Sequence, residues 1–244
     1  MAAIELRDVH KSFGAQKVLD GLSFRVEEGR SLVLMGPSGS GKSVILKHVI
    51  GLLRPDRGEV TVLGRQVPSL ARAELSALRR DMGYLFQHAA LLNWMNVFDN
   101  VALPLREARR YREPEIRARV EQALGLVLLG DAAGKLPEQL SGGMQKRVGL
   151  ARALITEPKV ILYDEPEAGL DPEMSANVSA MIRRLKEELG TTAIAVTHST
   201  RCALTIGDEL AVFEKGRILL SGPPAEVLAS DHPRVREFLG TPLD

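Results

Sequence analysis

A single cysteine, Cys202, stands among 244 residues. No intrachain disulfide can form, so a small bridge-stapled secreted scaffold is excluded and a reducing compartment is expected. Surplus charge of either sign is also missing: 32 Lys and Arg face 31 Asp and Glu, a formal net charge of +1. Such a chain has no general attraction for polyanions, and nucleic acid is not expected as a partner. No uninterrupted apolar run approaches the roughly 20 residues that a membrane-crossing helix needs. The longest, such as 31–35, are strand-sized, so any membrane role has to come through a partner. Residues 1–9 alternate apolar and charged side chains and lack the basic-then-apolar layout of a signal peptide, which argues against export. Internal repeats, low-complexity tracts and Ser/Gly linkers are absent too, favouring two lobes of one unit over independent domains.

What is present is ordinary globular material, 45% hydrophobic and 26% charged, in a chain long enough to bury a large core. Short β-rich runs alternate with amphipathic helical ones, which predicts an α/β fold with helices packed on a sheet. Strands are expected at 4–9, 22–26, 31–35, 59–63, 82–86, 159–163, 192–196, 209–213 and 217–220. The runs 32–35, 160–163 and 193–196 are almost continuously apolar, as parallel strands covered on both faces are, and functional loops belong at their carboxyl ends. Between Gln87 and Glu138 the strand signals stop. Helical segments follow around 96–105 and 113–127, broken by Pro104, Pro114 and Pro137, and read as a helical insertion.

The sharpest motif is Gly36, Pro37, Ser38, Gly39, Ser40, Gly41, Lys42 and Ser43, placed after a buried strand and opening an apolar helix over 44–53. That is a phosphate-binding loop in its required context. Its glycines let consecutive backbone N–H groups and the helix N-terminus face nucleotide phosphates; Lys42 adds a point charge, and the Ser43 hydroxyl suits Mg²⁺. Alone it leaves kinases, GTPases and many ATPases open. The run 160–164 narrows them, because an apolar strand ends in Asp164, placed to hold Mg²⁺ through water beside Ser43, and Glu165 follows at once. A second carboxylate there suits polarising an attacking water. Leu140, Ser141, Gly142, Gly143 and Met144 precede a basic helix over 145–155; by itself this reads as an N-cap.

With the P-loop and the acid pair, that last segment resembles the signature motif of ATP-binding-cassette (ABC) transporter ATPases, and the resemblance then covers nearly the whole chain in the family's order. It implies ATP and Mg²⁺ as ligands and a homodimer in which the signature of one chain contacts the γ-phosphate held on the other's P-loop. Phe13 resembles the aromatic that stacks on adenine, with an ordinary core phenylalanine as the alternative. Gln87 is similar to the glutamine that links metal and water to the helical lobe. Gly169, Leu170 and Asp171 resemble the loop that meets the opposite subunit, and His198 resembles the switch histidine that reaches the γ-phosphate. The implied fold is a P-loop NTPase with a RecA-like, mostly parallel sheet core, an N-terminal antiparallel β subdomain and a helical insertion. Residues 1–87 and 139–244 would form the catalytic lobe, and 88–138 the helical one, continuing into the signature helix.

Three details depart from the family's average. Glu167 stands where a small polar residue or Thr is usual, and an outward, solvated side chain is expected for it; pointing inward, it would raise the pKa of Glu165 by like-charge repulsion. Met144 replaces the frequent Gln, and Lys146 and Arg147 follow. With residues 95–107 and 41–58, the stretch 140–153 resembles the ATPases of Mla/Mce-type lipid transporters. This implies two membrane permease subunits, Mce-domain substrate-binding and small regulatory subunits as partners, phospholipid or related hydrophobic compounds as cargo, and the cytoplasmic face of a bacterial inner membrane as location. A polar-solute importer or a cell-division complex is the alternative, ahead of a soluble cassette protein or a small-molecule kinase. Trp94 and Met95 are expected to be exposed beside an N-cap at Asn96 and to suit docking of a permease helix. A C-terminal arm exchanged between subunits is expected to be missing after Leu239.

Overall fold

The computed structural model describes residues 1–239, so the chain end that the lobe division carries to Asp244, with the expectation about a C-terminal arm, lies outside the described residues. Along the chain run β1 (Ala2–Phe13), β2 (Gln16–Glu27), β3 (Ser31–Met35), α1 (Lys42–Val49), β4 (Arg57–Val62), β5 (Arg65–Gln66), α2 (Arg72–Arg80) and β6 (Met82–Leu85). Next come α3 (Val97–Ala108), α4 (Glu113–Leu126), α5 (Gly142–Leu154), β7 (Val160–Asp164), α6 (Pro172–Leu189) and β8 (Thr192–Thr197). Last are α7 (Thr200–Ile206), β9 (Glu209–Glu214), β10 (Arg217–Gly222), α8 (Pro224–Leu228) and α9 (Pro233–Leu239). No helix among them is long and apolar enough to cross a membrane.

Two sheets result. One is antiparallel, in the order β2-β1-β4-β5, and the other runs β10-β9-β3-β8-β7-β6. In the second, β9, β3, β8, β7 and β6 are parallel and only β10 pairs antiparallel at the edge. The alternation of side chains along these strands sorts the core into two layers. Leu32 and Leu34 of β3, Leu162 of β7 and Val196 of β8 face α1 and the antiparallel sheet. Val33, Met35, Tyr163 and Ala195 face the other way, toward α5, α6 and α7, and that layer continues into α3 and α4. Every residue of β3, β7 and β8 is buried, which is why their sequences lack polar alternation.

Several sequence expectations shift. The helix after the P-loop ends at Val49 rather than at 53, because Gly51 sits at φ 71° and turns the chain out of the helix. The strands at 4–9 and 22–26 are parts of longer β1 and β2, joined by a turn at Gly14 with φ 59°. Pro104 does not break its helix: α3 runs through it to Ala108, giving up one ladder bond. Pro114 and Pro137 instead start a helix and a 3-10 turn, where the missing N–H costs nothing. Asn96 caps α3, accepting the Asp99 N–H at 2.8 Å. Buried Asn100 then donates to the carbonyls of Leu92 and Met95 and accepts the Leu92 N–H, so one side chain fixes the whole 92–96 segment.

Polar contacts pin the far end of the sheet. Asp208 accepts the Ser31 N–H at 2.8 Å and its hydroxyl at 3.0 Å, and pairs with Lys186 of α6 at 2.5 Å. Burial alone would raise this carboxyl's pKa, but the Lys186 and Ser31 bonds outweigh it and hold the group below its ordinary value.

Candidate functional site: the rim at the carboxyl ends of the parallel strands

The register brings the candidate residues to one rim: Met35 of β3 lies beside Thr197 of β8, and Val196 lies beside Asp164 of β7. From Met35 the chain curls directly into the P-loop. Gly36 is required by close approach, since a Cβ there would meet the Phe213 carbonyl oxygen at 2.2 Å. Gly41, with φ 102°, is the left-handed residue before α1, and a Cβ on it would strike Val18. Pro37, Ser38 and Gly39 are exposed or lie at the loop's surface, beside Lys215 and Gly216, and the Ser40 hydroxyl is buried without a partner. Lys42 is buried, and its ammonium donates to the carbonyls of Gly36 and Pro37 at 2.7 and 2.8 Å. Burial pushes its pKa down, against the charges of Glu165, Asp164 and Glu167.

The strand-end acids lie opposite. Ser43 Oγ donates to Asp164 Oδ1 at 2.7 Å, and Tyr84 of β6 donates to Oδ2 at 3.0 Å. Tyr84 also stacks on Phe86, with centroids 4.2 Å apart; burial and the Asp164 charge push its phenol pKa up, so it stays a donor. Glu165 occupies φ 45°, a backbone position that costs a non-glycine residue about 1–3 kcal/mol and recurs at functional sites. Its N–H bonds to the Val196 carbonyl at 2.9 Å. Gln87 Nε2 donates to Glu165 Oε2 at 3.1 Å, and His198 Nδ1 lies 3.5 Å from Oε1. Gln87, Glu165 and His198, predicted from separate parts of the chain, therefore meet on one carboxylate.

Ser43 and Asp164 offer two hard oxygens side by side, the donor chemistry Mg²⁺ takes. Among the described residues no group of three or more His, Cys, Asp and Glu forms a metal cage. That fits an ion completed by phosphate oxygens and water, as Mg²⁺ commonly is.

Other expected residues sit apart. Ser141 caps α5, accepting the Met144 N–H at 3.3 Å, with Ser141 and Gly142 exposed and Leu140 and Gly143 buried. Among the described residues this turn makes no hydrogen bond to the P-loop of its own chain. Gly169 (φ 77°) and Leu170 lead to Asp171, which caps α6 through the Met174 N–H. Phe13 is exposed at the end of β1, with the Lys11 ammonium 5.6 Å from its ring centre; it is not a core residue. Trp94 is 76% exposed while Met95 is only half-buried, so the pair expected at the surface is one residue.

The expectation of an outward Glu167 is wrong. The strained turn at Glu165 directs it inward, where it is 7% exposed and accepts the Thr197 hydroxyl. Lys146 was noted only as a basic residue after the signature; it is buried and donates to the carbonyls of Gln87 and Glu165. Tyr84 was missed outright. No local pattern marks it, since only the pairing of β6 with β7 brings it to Asp164.

A glycine cradle facing a strand-end acid pair across Ser43 and Asp164 defines a P-loop nucleoside triphosphatase. The family model described as ABC transporter matches residues 19–168. The probable ribonucleotide transport ATP-binding protein mkl of Mycobacterium leprae is 43% identical over 97% of this chain, which spans 68% of that protein's length. The intermembrane phospholipid transport system ATP-binding protein MlaF of Escherichia coli is 38% identical, covering 97% of this chain and 88% of its own. Among solved structures, the dimeric post-hydrolysis state of the ATP-binding cassette MJ0796 with ADP and Pi superposes with a TM-score of 0.83 at 33% identity, over 91% of this chain and 98% of that one. The chain belongs to the ABC transporter family, as an ATPase of that family.

Replacing Lys42 by Ala should weaken ATP binding about 10–100-fold, the equivalent of one hydrogen bond to a charged group. Calorimetric titration of nucleotide into the purified chain measures it, and unchanged affinity would remove Lys42 from the cradle.

Proposed function

We propose that two copies of this chain close on two ATP molecules and that the cycle drives a membrane permease made of two partner subunits, at the cytoplasmic face of a bacterial inner membrane. The observation that carries the shared site is the signature turn. Ser141 and Gly142 present an exposed helix N-terminus, suited to phosphate, yet make no hydrogen bond to their own P-loop among the described residues. A second chain supplies the complement. The MJ0796 cassette, dimeric with ADP and Pi, supports this arrangement, with the 169–171 loop as part of the contact.

In this reading the P-loop N–H groups and Lys42 hold the β- and γ-phosphates, and Phe13 offers its free ring to adenine. Ser43 and Asp164, with Gln87, would hold Mg²⁺, which would supply positive charge to offset that on the phosphate oxygens. Glu165 accepts a proton from the attacking water. A carboxylate has about four lone-pair directions, so the Gln87 bond at 3.1 Å and His198 at 3.5 Å leave room for that water while fixing the group's orientation. His198 reaches toward the γ-phosphate.

Removing the base without changing its size tests the chemistry: Glu165→Gln should lower ATP turnover by roughly 10²–10⁴-fold with ATP still bound, so that size-exclusion chromatography with ATP detects a lasting dimer. The shared site is tested by mixing. Lys42→Ala and Ser141→Arg chains should each be inactive alone, while their heterodimer, carrying both lesions in one composite site, recovers part of the turnover. Normal hydrolysis by monomeric Ser141→Arg would defeat the shared-site reading.

Phospholipid or a related hydrophobic compound is the cargo we favour, supported by the whole-length similarity to MlaF; Mce-domain and small regulatory subunits would then be further partners. The mkl relative, named for ribonucleotide transport, keeps a polar solute as the competing reading. Native complex purified through this chain should carry phospholipid and Mce-type subunits by mass spectrometry, and a periplasmic solute-binding protein without lipid would reverse the choice.

A further inference from the structure

Two of the features that set this sequence apart, Lys146 and Glu167, lie beneath the same catalytic carboxylate. Lys146 stands on α5, the helix that Ser141 caps, and is 4% exposed. Its ammonium donates to the carbonyl oxygens of Gln87 and Glu165, the latter at 3.0 Å. It therefore holds the backbone of two residues whose side chains meet at the Glu165 carboxylate.

Glu167 holds the third. Its Oε1 accepts the Thr197 hydroxyl, and the same Thr197 oxygen accepts the Ser199 N–H at 2.8 Å. Those two contacts bracket His198 from either side in the chain. Glu167 Oε2 is buried with no hydrogen-bond partner, an expensive place for a carboxylate unless a nearby cation compensates it. Lys146 is a buried cation with the matching cost, held on the Glu165 carbonyl two residues before Glu167. The Glu167 carboxylate, after burial itself, pushes the Cys202 thiol up.

We propose that Lys146 and Glu167 are positioning residues for ATP hydrolysis, two buried opposite charges that do not touch each other but together lock Gln87, Glu165 and His198 into one unit and tie that unit to the signature helix. Neither touches the nucleotide. The positive member fixes the main chain at Gln87 and Glu165, and the negative member fixes the main chain around His198; each makes the other's burial tolerable. The inference rests on the reading of Glu165 as the group that polarises water.

Steady-state hydrolysis by the purified full chain tests it, using Lys146→Gln, Glu167→Gln and the double variant, with Glu165→Gln as reference. A misplacement of about 1 Å costs on the order of 100-fold in rate, so each single should lower kcat about 10–100-fold, with KM for ATP within about threefold. The double should lose no more than the worse single, because removing both charges leaves neither stranded. Thr197→Ser, which keeps the hydroxyl, should retain turnover, and Thr197→Val should follow Glu167→Gln. Losses that multiply in the double, unaltered kcat in the singles, or a change in KM alone would overturn the proposal. Should a single variant fail to fold, the double decides: a kcat near wild type overturns the proposal, and a loss of about tenfold or more at unchanged ATP affinity supports it. The reference separates the two readings. Near-normal turnover of Glu165→Gln removes the premise, while a silent Glu165→Gln beside a fully active double removes the bracket alone.

Discussion

The parallel ladder of β3, β8 and β7 is the constraint on which the rim depends, and its apolar character does not by itself fix where the strands stop. In a strand with one wet face, a slip of one residue would bury polar side chains. Here both faces of all three strands are buried, so slippage meets little hydrophobic penalty. Polar contacts at the strand ends supply what the faces do not. Asp208 gathers Ser31 and Lys186 at one end, and the Glu165 N–H takes the Val196 carbonyl at the other. The P-loop, the acid pair and His198 inherit their spacing from those few bonds.

Charge balance is the second theme. A chain almost neutral as a whole concentrates Asp164, Glu165 and Glu167 at one strand end, with Lys42 and Lys146 buried close by. In a low-dielectric setting, three carboxylates without nearby cations would be costly to bury. The two lysines approach from opposite sides, one from the P-loop and one from the signature helix, and both bond to backbone carbonyls. The site therefore draws on elements far apart in sequence for its electrostatics as well as for its geometry.

What the sequence made legible follows from how local each signal is. The P-loop, the apolar strand ending in Asp164 and the Ser141 cap each need only a few consecutive residues, and the Asn96 cap was likewise readable from its neighbours. Glu167 was misread because its direction is set by one residue, Glu165, in a left-handed conformation that no propensity predicts. Tyr84 stayed hidden because strand order alone makes it a neighbour of Asp164. The helix through Pro104 went the other way: tertiary packing of α3 against α4 and α5 outweighed a local breaker. Met95, half-buried beside the exposed Trp94, reflects the same limit, since burial is a property of the assembled lobe.

Cys202 carries a consequence of its own. The thiol is buried among Glu167, Thr197 and Ser179, and both burial and the neighbouring carboxylate disfavour its thiolate, the form that reacts with maleimides, disulfides and peroxide. The chain is in effect a chemically silent background for thiol chemistry. A cysteine introduced at an exposed position such as Gly142 or Asp171 would be the one reactive site, so distance probes or crosslinkers can follow the approach of two cassettes without first removing the native residue.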